Sequence, residues 1–384
     1  MISAPAADYR PFLYFYHMAG LVFFNSVRFW GGGEKLHLEL ALGCRDLGHA
    51  VTLACDRRGE LWKRAQAARL NCVDVRVRNL SFVNPFSRRR LTQLFRTLSP
   101  DAVIFTTSQD VKAGASAARM AGVPHVVYLR GLAAPVKNNR INRTLFTSTL
   151  THIIANSEET QRNMLRSMQQ VKGVLPVQVV YHGIHLQENT TVTVHPVIAE
   201  KGRGIILGNA GRLTAQKGQA DLIQLAAKLR DRQVNFTLFI AGEGEERKTL
   251  QRAITALHLN EQVFLLGFVE DMAAFMHSLD IFLLSSHWEG FGFVLAEAMA
   301  YRKPVVAYAS SSNPEIIQQE ETGLLVPPHN ITAFADAVEQ LANDITLRHR
   351  MGEAGRKRVE RHFAFNTQTQ ALLDAIFSKQ AYHR

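Results

Sequence analysis

The sequence predicts an α/β protein built from two doubly wound domains, each a parallel sheet with helices on both faces, set against one another across a cleft. Three observations predict it. Short apolar runs alternate with helical stretches along almost all of the 384 residues, the signature of βαβ units and a parallel sheet. The length exceeds what one ordinary core serves and suits two domains of about 150 to 200 residues each. Finally, the stretch between about Leu186 and Arg203, with Asn189-Thr190-Thr191-Val192-Thr193 and Pro196, lacks helical periodicity and separates two runs of the same alternating scheme.

In the first half, strands are expected at Leu21 to Phe24, Ala50 to Ala54, Cys72 to Val77, Ala102 to Thr106, His125 to Tyr128, His152 to Ala155 and Val177 to Tyr181. Helical stretches such as Glu34 to Leu47 and Leu91 to Leu98 fall between them. In the second half the strands are expected at Gly204 to Leu207, Asn235 to Ala241, Val263 to Leu266, Ile281 to Leu284, Val305 to Tyr308 and Leu324 to Val326. Helices fit at Gln219 to Leu229, Glu245 to Leu257, Val294 to Tyr301 and Thr332 to Ala342. Residues 1–17 are rich in aromatics but have no place in a βαβ scheme, so they are expected to form an N-terminal extension. The first domain then takes residues 18–190 and the second 200–363. The amphipathic segment Asn366 to Phe377 lies within a C-terminal stretch, 364–384, that is expected to cross back to the first domain.

Composition narrows the class. The chain is 47% hydrophobic and 20% charged, as in water-soluble globular proteins. It has no run of 18 apolar residues to suggest a transmembrane helix. The apolar run Phe12 to Phe24 is preceded only by Arg10 and followed by Asn25-Ser26-Val27-Arg28, a poor signal-peptide pattern. Residues 1–190 carry 24 Lys and Arg against 12 Asp and Glu, whereas 191–384 carry 20 against 21. The whole basic excess therefore lies in the first half and suggests an anionic surface or acceptor there. Arg88-Arg89-Arg90, just after Phe82 and Phe86, suits acidic lipid headgroups; a solvated basic loop is the alternative. Cys44, Cys55 and Cys72 are odd in number and lack Cys-x-x-Cys spacing, so reduced thiols are expected. No His, Cys and carboxylate grouping has metal-ligand spacing.

The chemistry concentrates in the βα loops, where open parallel sheets bind ligands at the carboxyl ends of their strands. Glu289-Gly290-Phe291-Gly292-Phe293 follows the strand at Ile281 to Leu284 and opens a helix in which Glu297 is the one charge among Ala296, Ala298, Met299 and Ala300. Helix-start N–H groups at Gly292 and Phe293 favour a phosphate or sugar oxygen, and the two carboxylates can accept hydroxyl protons from a polyol. A carboxylate in so apolar a segment needs a partner. Arg212 and Lys217 frame the loop Gly211 to Gly218, suited to a diphosphate by forked hydrogen bonds and a point charge. Gly31-Gly32-Gly33 after the first strand, and Ala241-Gly242-Glu243-Gly244, allow close approach to the backbone. Asp110 stands in the loop Thr107-Ser108-Gln109-Asp110 and is either a polar group at a reacting centre or the N-cap of a helix from Val111.

Several ordered motifs together resemble the family 4 retaining glycosyltransferases. They are Asn156-Ser157-Glu158, Tyr181-His182-Gly183-Ile184, Gly211-Arg212-Leu213 with Lys217-Gly218, and Ala241-Gly242-Glu243-Gly244. The series continues through Leu266-Gly267-Phe268, Glu289-Gly290-Phe291-Gly292 with Glu297-Ala298-Met299-Ala300, Lys303-Pro304-Val305-Val306 and Pro314-Glu315. The resemblance runs from about Leu21 to Phe363. It implies a GT-B fold, with an acceptor domain first and a nucleotide-sugar domain second.

By that resemblance Arg212 and Lys217 hold the donor diphosphate, Glu289 contacts donor sugar hydroxyls and Glu297 binds the nucleotide ribose. Backbone around Phe291, Gly292 and Phe293 faces sugar and phosphate, with Gly211 and Gly242 on the same side; Gly32 and Gly33 close over the diphosphate from the first domain. Asp110 occupies the position of a polar residue near the reacting centre. The implied reaction is retaining transfer of a hexose or heptose from a nucleotide sugar to a cell-envelope glycan or glycolipid of lipopolysaccharide or exopolysaccharide type. It calls for no metal and no other cofactor.

The expected setting is cytoplasmic, peripheral to the inner face of the membrane, with no nucleic-acid partner. Two other readings are a nucleotide-sugar epimerase of the same fold and a basic nucleic-acid-binding module. The aromatics, however, are not interleaved with the arginines as base stacking requires. His182 and His185 stand where the family usually has Asn and Asp, Ser310-Ser311-Ser312-Asn313 replaces a loop usually richer in Gly, and Tyr301-Arg302 replaces Cys-Gly.

Overall fold

A computed structural model describes residues 18–77, 81–186 and 193–378. The expected N-terminal extension lies outside the described residues.

The first sheet contains β1 (Gly20–Asn25), β2 (Ala50–Cys55), β3 (Asn71–Asp74), β4 (Ala102–Phe105), β5 (His125–Arg130), β6 (His152–Ala155) and β7 (Val177–Val179). Its order is β3-β2-β1-β4-β5-β6-β7, with every neighbouring pair parallel. The second contains β8 (Ile205–Ala210), β9 (Phe236–Ala241), β10 (Val263–Gly267), β11 (Ile281–Leu284), β12 (Val305–Tyr308) and β13 (Gly323–Val326). Its order is β10-β9-β8-β11-β12-β13, again all parallel. Strands buried on both faces need continuous apolar runs rather than alternation, and Ala102–Phe105, Ile281–Leu284 and Val305–Tyr308 are buried at every position. That is why they were readable.

Each sheet is covered on both sides by apolar layers. One layer of the first domain joins Phe24, Phe95, Phe105 and Phe146; the other joins Phe23, Leu40, Leu53 and Ile104 with Phe365, Leu372 and Ile376 from the last helix, Phe365–Phe377. The C-terminal segment is thus part of the first domain's core. It enters through a two-stranded crossing, where Ile184 N–H donates to Phe363 O at 2.7 Å and Phe365 N–H donates to Ile184 O at 2.9 Å. Phe365 stacks on His185 with 3.9 Å between ring centroids. A side chain at Gly183 would meet the Phe365 backbone at 2.6 Å, so that crossing needs glycine.

Several boundaries differ from the expected ones. β3 ends at Asp74 rather than Val77, because its pairing with β2 ends at Cys55 and the Asp74 carboxylate turns to accept from Arg57 N–H. The helix expected from Leu91 begins at Pro85: Asn84 caps it by accepting from Phe86 and Ser87 N–H, and proline is at home in a helical first turn. The helix expected at Glu245 begins at Arg247. Between the domains, the stretch expected to be irregular contains a short helix, Pro196–Lys201, also started by proline. A long helix, Ile345–His362, capped by Asp344, follows the segment read as the chain's last second-domain helix.

Candidate active site

Both sheets reverse strand order at one point, between β1 and β4 in the first and between β8 and β11 in the second. A crevice opens at such a switch point, because the connections on its two sides run to opposite faces. The loop after β8 carries Arg212 and Lys217; the loop after β11 carries Glu289. The loop after β1 leads to Gly31-Gly32-Gly33, and the helix after β4, Ser108–Ala121, carries Asp110 in its first turn. Topology therefore gathers these residues into crevices.

The strongest contact at the second switch point is an ion pair. Lys217 Nζ lies 2.6 Å from Glu289 Oε1, with the two side chains only 18% and 9% exposed. Charges this secluded are tolerated because each satisfies the other. The loop around Glu289 is braced from three sides. Ser311 Oγ donates to Glu289 O at 2.6 Å, Ser310 Oγ to Ser286 O at 3.0 Å, and Gln216 Nε2 to Trp288 O at 2.9 Å. The serine-rich loop in place of glycines thus supplies hydroxyls that hold the Glu289 segment. Arg212 is exposed, and its guanidinium has no partner among the described residues.

Gly292, at φ 75°, ends that loop in a left-handed conformation and caps the helix Phe293–Ala300. The helix-start N–H groups of Gly292, Phe293 and Val294 have no carbonyl behind them to accept. Phe291 is buried against Tyr181, His182 and Phe363; Phe293 packs edge-on against His182, 3.9 Å between centroids. Their side chains are committed to packing, so only their backbone is left for a ligand. A side chain at Gly242 would overlap the Gly211 carbonyl, and Gly211 N–H donates to Ala241 O at 2.9 Å. Those two glycines let the β8 and β9 loops lie backbone against backbone. Gly32 and Gly33 differ: both are exposed, and nothing lies within 4 Å of where a side chain would begin.

Glu297 faces the first domain. Its Oε1 is 3.8 Å from Lys35 Nζ, on the helix Gly32–Asp46 that the triple glycine opens, and Lys35 also lies 5.7 Å over the Phe293 ring. Burial pushes the Glu297 carboxyl up to about 7 despite the opposing pull of Lys35; the Glu39 charge adds to the rise.

Asp110 is not the N-cap that was one of its two expected roles. Thr107, not Asp110, caps the helix Ser108–Ala121 by accepting from Asp110 N–H. The Asp110 carboxylate is buried and accepts from Ser26 N–H at 3.0 Å, Ser26 Oγ at 2.5 Å and Thr107 Oγ1 at 2.8 Å. Here it fixes the turn after β1. Burial raises its pKa, opposed by the Ser26 and Thr107 hydrogen bonds.

The groups that join the domains had no role legible in the sequence. Ser157 Oγ donates to Gly290 O at 2.5 Å, and Thr160 Oγ1 donates to the same carbonyl at 3.3 Å. Glu158 and Glu159 N–H donate to Glu315 Oε2 and Oε1 at 2.7 and 2.8 Å, so a second-domain carboxylate seals the start of the first-domain helix Glu158–Arg166. Asn-Ser-Glu, Glu-Gly-Phe-Gly and Pro-Glu, far apart in the chain, meet at this seam.

Residues 30–188 match the profile of Glycosyltransferase Family 4, and residues 193–358 match that of Glycosyl transferases group 1. The chain belongs to glycosyltransferase family 4. Relatives include the lipopolysaccharide core biosynthesis glycosyltransferase LpsE of Rhizobium meliloti, 32% identical over 45% of this chain and 50% of that one. The alpha-D-kanosaminyltransferase of Streptomyces kanamyceticus is 37% identical over 37% of this chain and 38% of that one. The chain thus spans about half or less of the length of these curated relatives. Among solved structures, Anabaena Alr3699/HepE in complex with UDP and glucose superposes with a TM-score of 0.77 at 21% identity, covering 93% of this chain and 98% of that one. A glycosyltransferase from Rickettsia africae gives 0.81 at 18%, covering 95% and 100%. At those identities the likeness speaks for the fold, which is GT-B: two parallel-sheet α/β domains.

In this family 4 chain the raised Glu297 pKa has a consequence for stability. Because the folded-state value, about 7, lies above the ordinary 4.5, the native state binds the extra proton between them. Stability from this group is therefore full below about pH 4.5 and lost as pH rises to about 7. Thermal unfolding of Glu297→Gln across that range is expected to show a midpoint that gains on the wild type as pH rises.

Proposed function

We propose that the chain is a retaining glycosyltransferase that moves a hexose or heptose from a nucleoside diphosphate sugar to a cell-envelope glycan or glycolipid. The observation that carries this reading is the meeting, at the second switch point, of Arg212, Lys217 and free helix-start N–H groups with two carboxylates, opposite an open glycine loop. Positive groups suit a diphosphate and carboxylates suit hydroxyls; a nucleotide sugar has both. Relatives named for lipopolysaccharide core and capsular polysaccharide biosynthesis support an envelope acceptor. The structural neighbour HepE is known in complex with UDP and with UDP-glucose, which makes uridine diphosphate the first nucleotide to try.

In this reading the bond from the anomeric carbon to the phosphate oxygen breaks with its electron pair left on the diphosphate. Arg212, Lys217 and the N–H groups of Gly292 and Phe293 stabilise the developing charge without reorganising. The acceptor hydroxyl attacks from the same face and its proton passes to a leaving phosphate oxygen, so configuration is retained and no covalent nucleophile or metal is needed. Lys217 is held by Glu289 at 2.6 Å. An incoming phosphate would compete for the ammonium and free the Glu289 carboxylate for sugar hydroxyls. Glu297 would take the ribose.

Among the described residues no helix is long and apolar enough to cross a membrane. Phe86 and Val83 are 82% and 63% exposed beside Arg88, Arg89 and Arg90 at the start of the helix Pro85–Leu98, a combination that suits an anionic bilayer surface. Replacing the three arginines by serine is expected to abolish co-sedimentation with phosphatidylglycerol vesicles; equal binding to neutral vesicles would contradict the proposal.

The two carboxylates make separable predictions. Glu297→Ala is expected to weaken uridine diphosphate about 10- to 100-fold in calorimetric titration, the loss of one or two charge-assisted hydrogen bonds. Glu289→Ala is expected to leave that affinity within about twofold while lowering kcat by about 10²-fold or more, as for loss of a group acting in the transition state.

A further inference from the structure

Outside the carboxylate pair, the fold brings together three metal-ligating side chains that lie 66 and 42 residues apart along the chain: Asp221, His287 and His329. Asp221 stands in the first turn of the helix Gln219–Asp231, His287 follows β11 and His329 follows β13. Their ligand atoms all fall within 4.8 Å of one another. Asp221 Oδ2 is 3.7 Å from His287 Nε2 and 3.4 Å from His329 Nδ1, and the two imidazole centroids are 4.5 Å apart.

Those separations suit a shared ion better than direct hydrogen bonds. An N–H···O bond brings its atoms to about 2.7–3.2 Å, and neither imidazole nitrogen reaches the carboxylate that closely. Ligands about 2.0–2.1 Å from a tetrahedral zinc ion lie about 3.3 Å apart, close to the two separations from Asp221 here. The rest of the surroundings also fits a built site. Tyr308 OH donates to Asp221 Oδ2 at 2.8 Å, the kind of outer contact that orients a metal-ligating carboxylate. His287 lies against Gly218, where a side chain would meet its Nε2 at 3.0 Å and overlap the Ser285 carbonyl; Gly218, at φ 63°, leaves that space open.

We infer that Asp221, His287 and His329 form a binding site for a divalent transition-metal ion, with zinc the best match to two imidazoles, one carboxylate and an open fourth position. The site is separate from the chemistry proposed above, which routes no step through a metal. It adjoins that chemistry through the chain. His287 is two residues before Glu289, and Gly218 directly follows Lys217, so a ligated ion would clamp the β8 and β11 loops together from behind the ion pair.

The test uses tag-free full-length protein stripped with a chelator and titrated with cobalt(II), which reports tetrahedral coordination by visible absorption. Expected is a band that saturates at one equivalent, is displaced by zinc, and in His287→Ala or His329→Ala needs at least about tenfold more cobalt. Zinc is also expected to raise the thermal midpoint of the wild type but not of the His287→Ala/His329→Ala double variant, whose fold is checked by circular dichroism. A titration without a saturating band, or a double variant that keeps the wild-type band, would overturn the inference. Both readouts are independent of glycosyl transfer, so failure of the metal site and failure of the proposed function are distinguishable.

Discussion

The structure turns on one backbone carbonyl. Gly290 O, in the loop between the Glu289 carboxylate and the helix that carries Glu297, accepts from Ser157 Oγ of the opposite domain at 2.5 Å. The contact is possible only because position 290 has no side chain, which would run into the Gly131 carbonyl. Glu315 reinforces it by taking two N–H groups of the first-domain helix that Ser157 caps. With that seam in place, Glu297 comes to face Lys35 and the open glycine loop. Beside it, Phe291 and Phe293 pack on Tyr181 and His182, and the crossing at Ile184 and Phe363 carries the chain back to the first domain.

The seam also orders the charges. The first domain carries the chain's basic excess, yet among the described residues the cation it presents to the cleft near Glu297 is a single lysine, 3.8 Å away and shared with Glu39. That is too little to keep Glu297 at an ordinary carboxylate pKa against its burial. At Glu289 one short contact to Lys217 satisfies a nearly enclosed carboxylate. Two acids eight residues apart thus sit in different surroundings, one at a loose contact across the cleft and one in a close ion pair.

What the sequence made legible follows from its physics. Both sheets could be read strand by strand because parallel strands buried on both faces must be continuously apolar, and Ile281–Leu284 or Val305–Tyr308 can hardly be anything else. The switch-point loops were legible because glycines and charges interrupt those runs at the carboxyl ends of strands. Boundaries governed by one cap were harder: Asn84-Pro85 starts a helix six residues before its apolar periodicity becomes clear. Contacts between distant segments were not legible at all. Asp110 could be read as a cap or a cleft residue, but its bonds to Ser26 depend on β1 and β4 lying side by side. Ser157, Glu315 and the Asp221 cluster likewise acquire meaning only from topology.

The central claim is that the seam holds a site in which one nucleotide sugar lies with its ribose at Glu297 and its diphosphate at Arg212 and Lys217. The most direct measurement is a crystal structure of the full chain grown with uridine diphosphate. The account predicts ribose hydroxyls within hydrogen-bond distance of Glu297, phosphate oxygens on Arg212, Lys217 and the N–H groups of Gly292 and Phe293, and Ser157 still bonded to Gly290 O. Nucleotide bound with its phosphates away from Arg212 and Lys217, or with its ribose remote from Glu297, would contradict it.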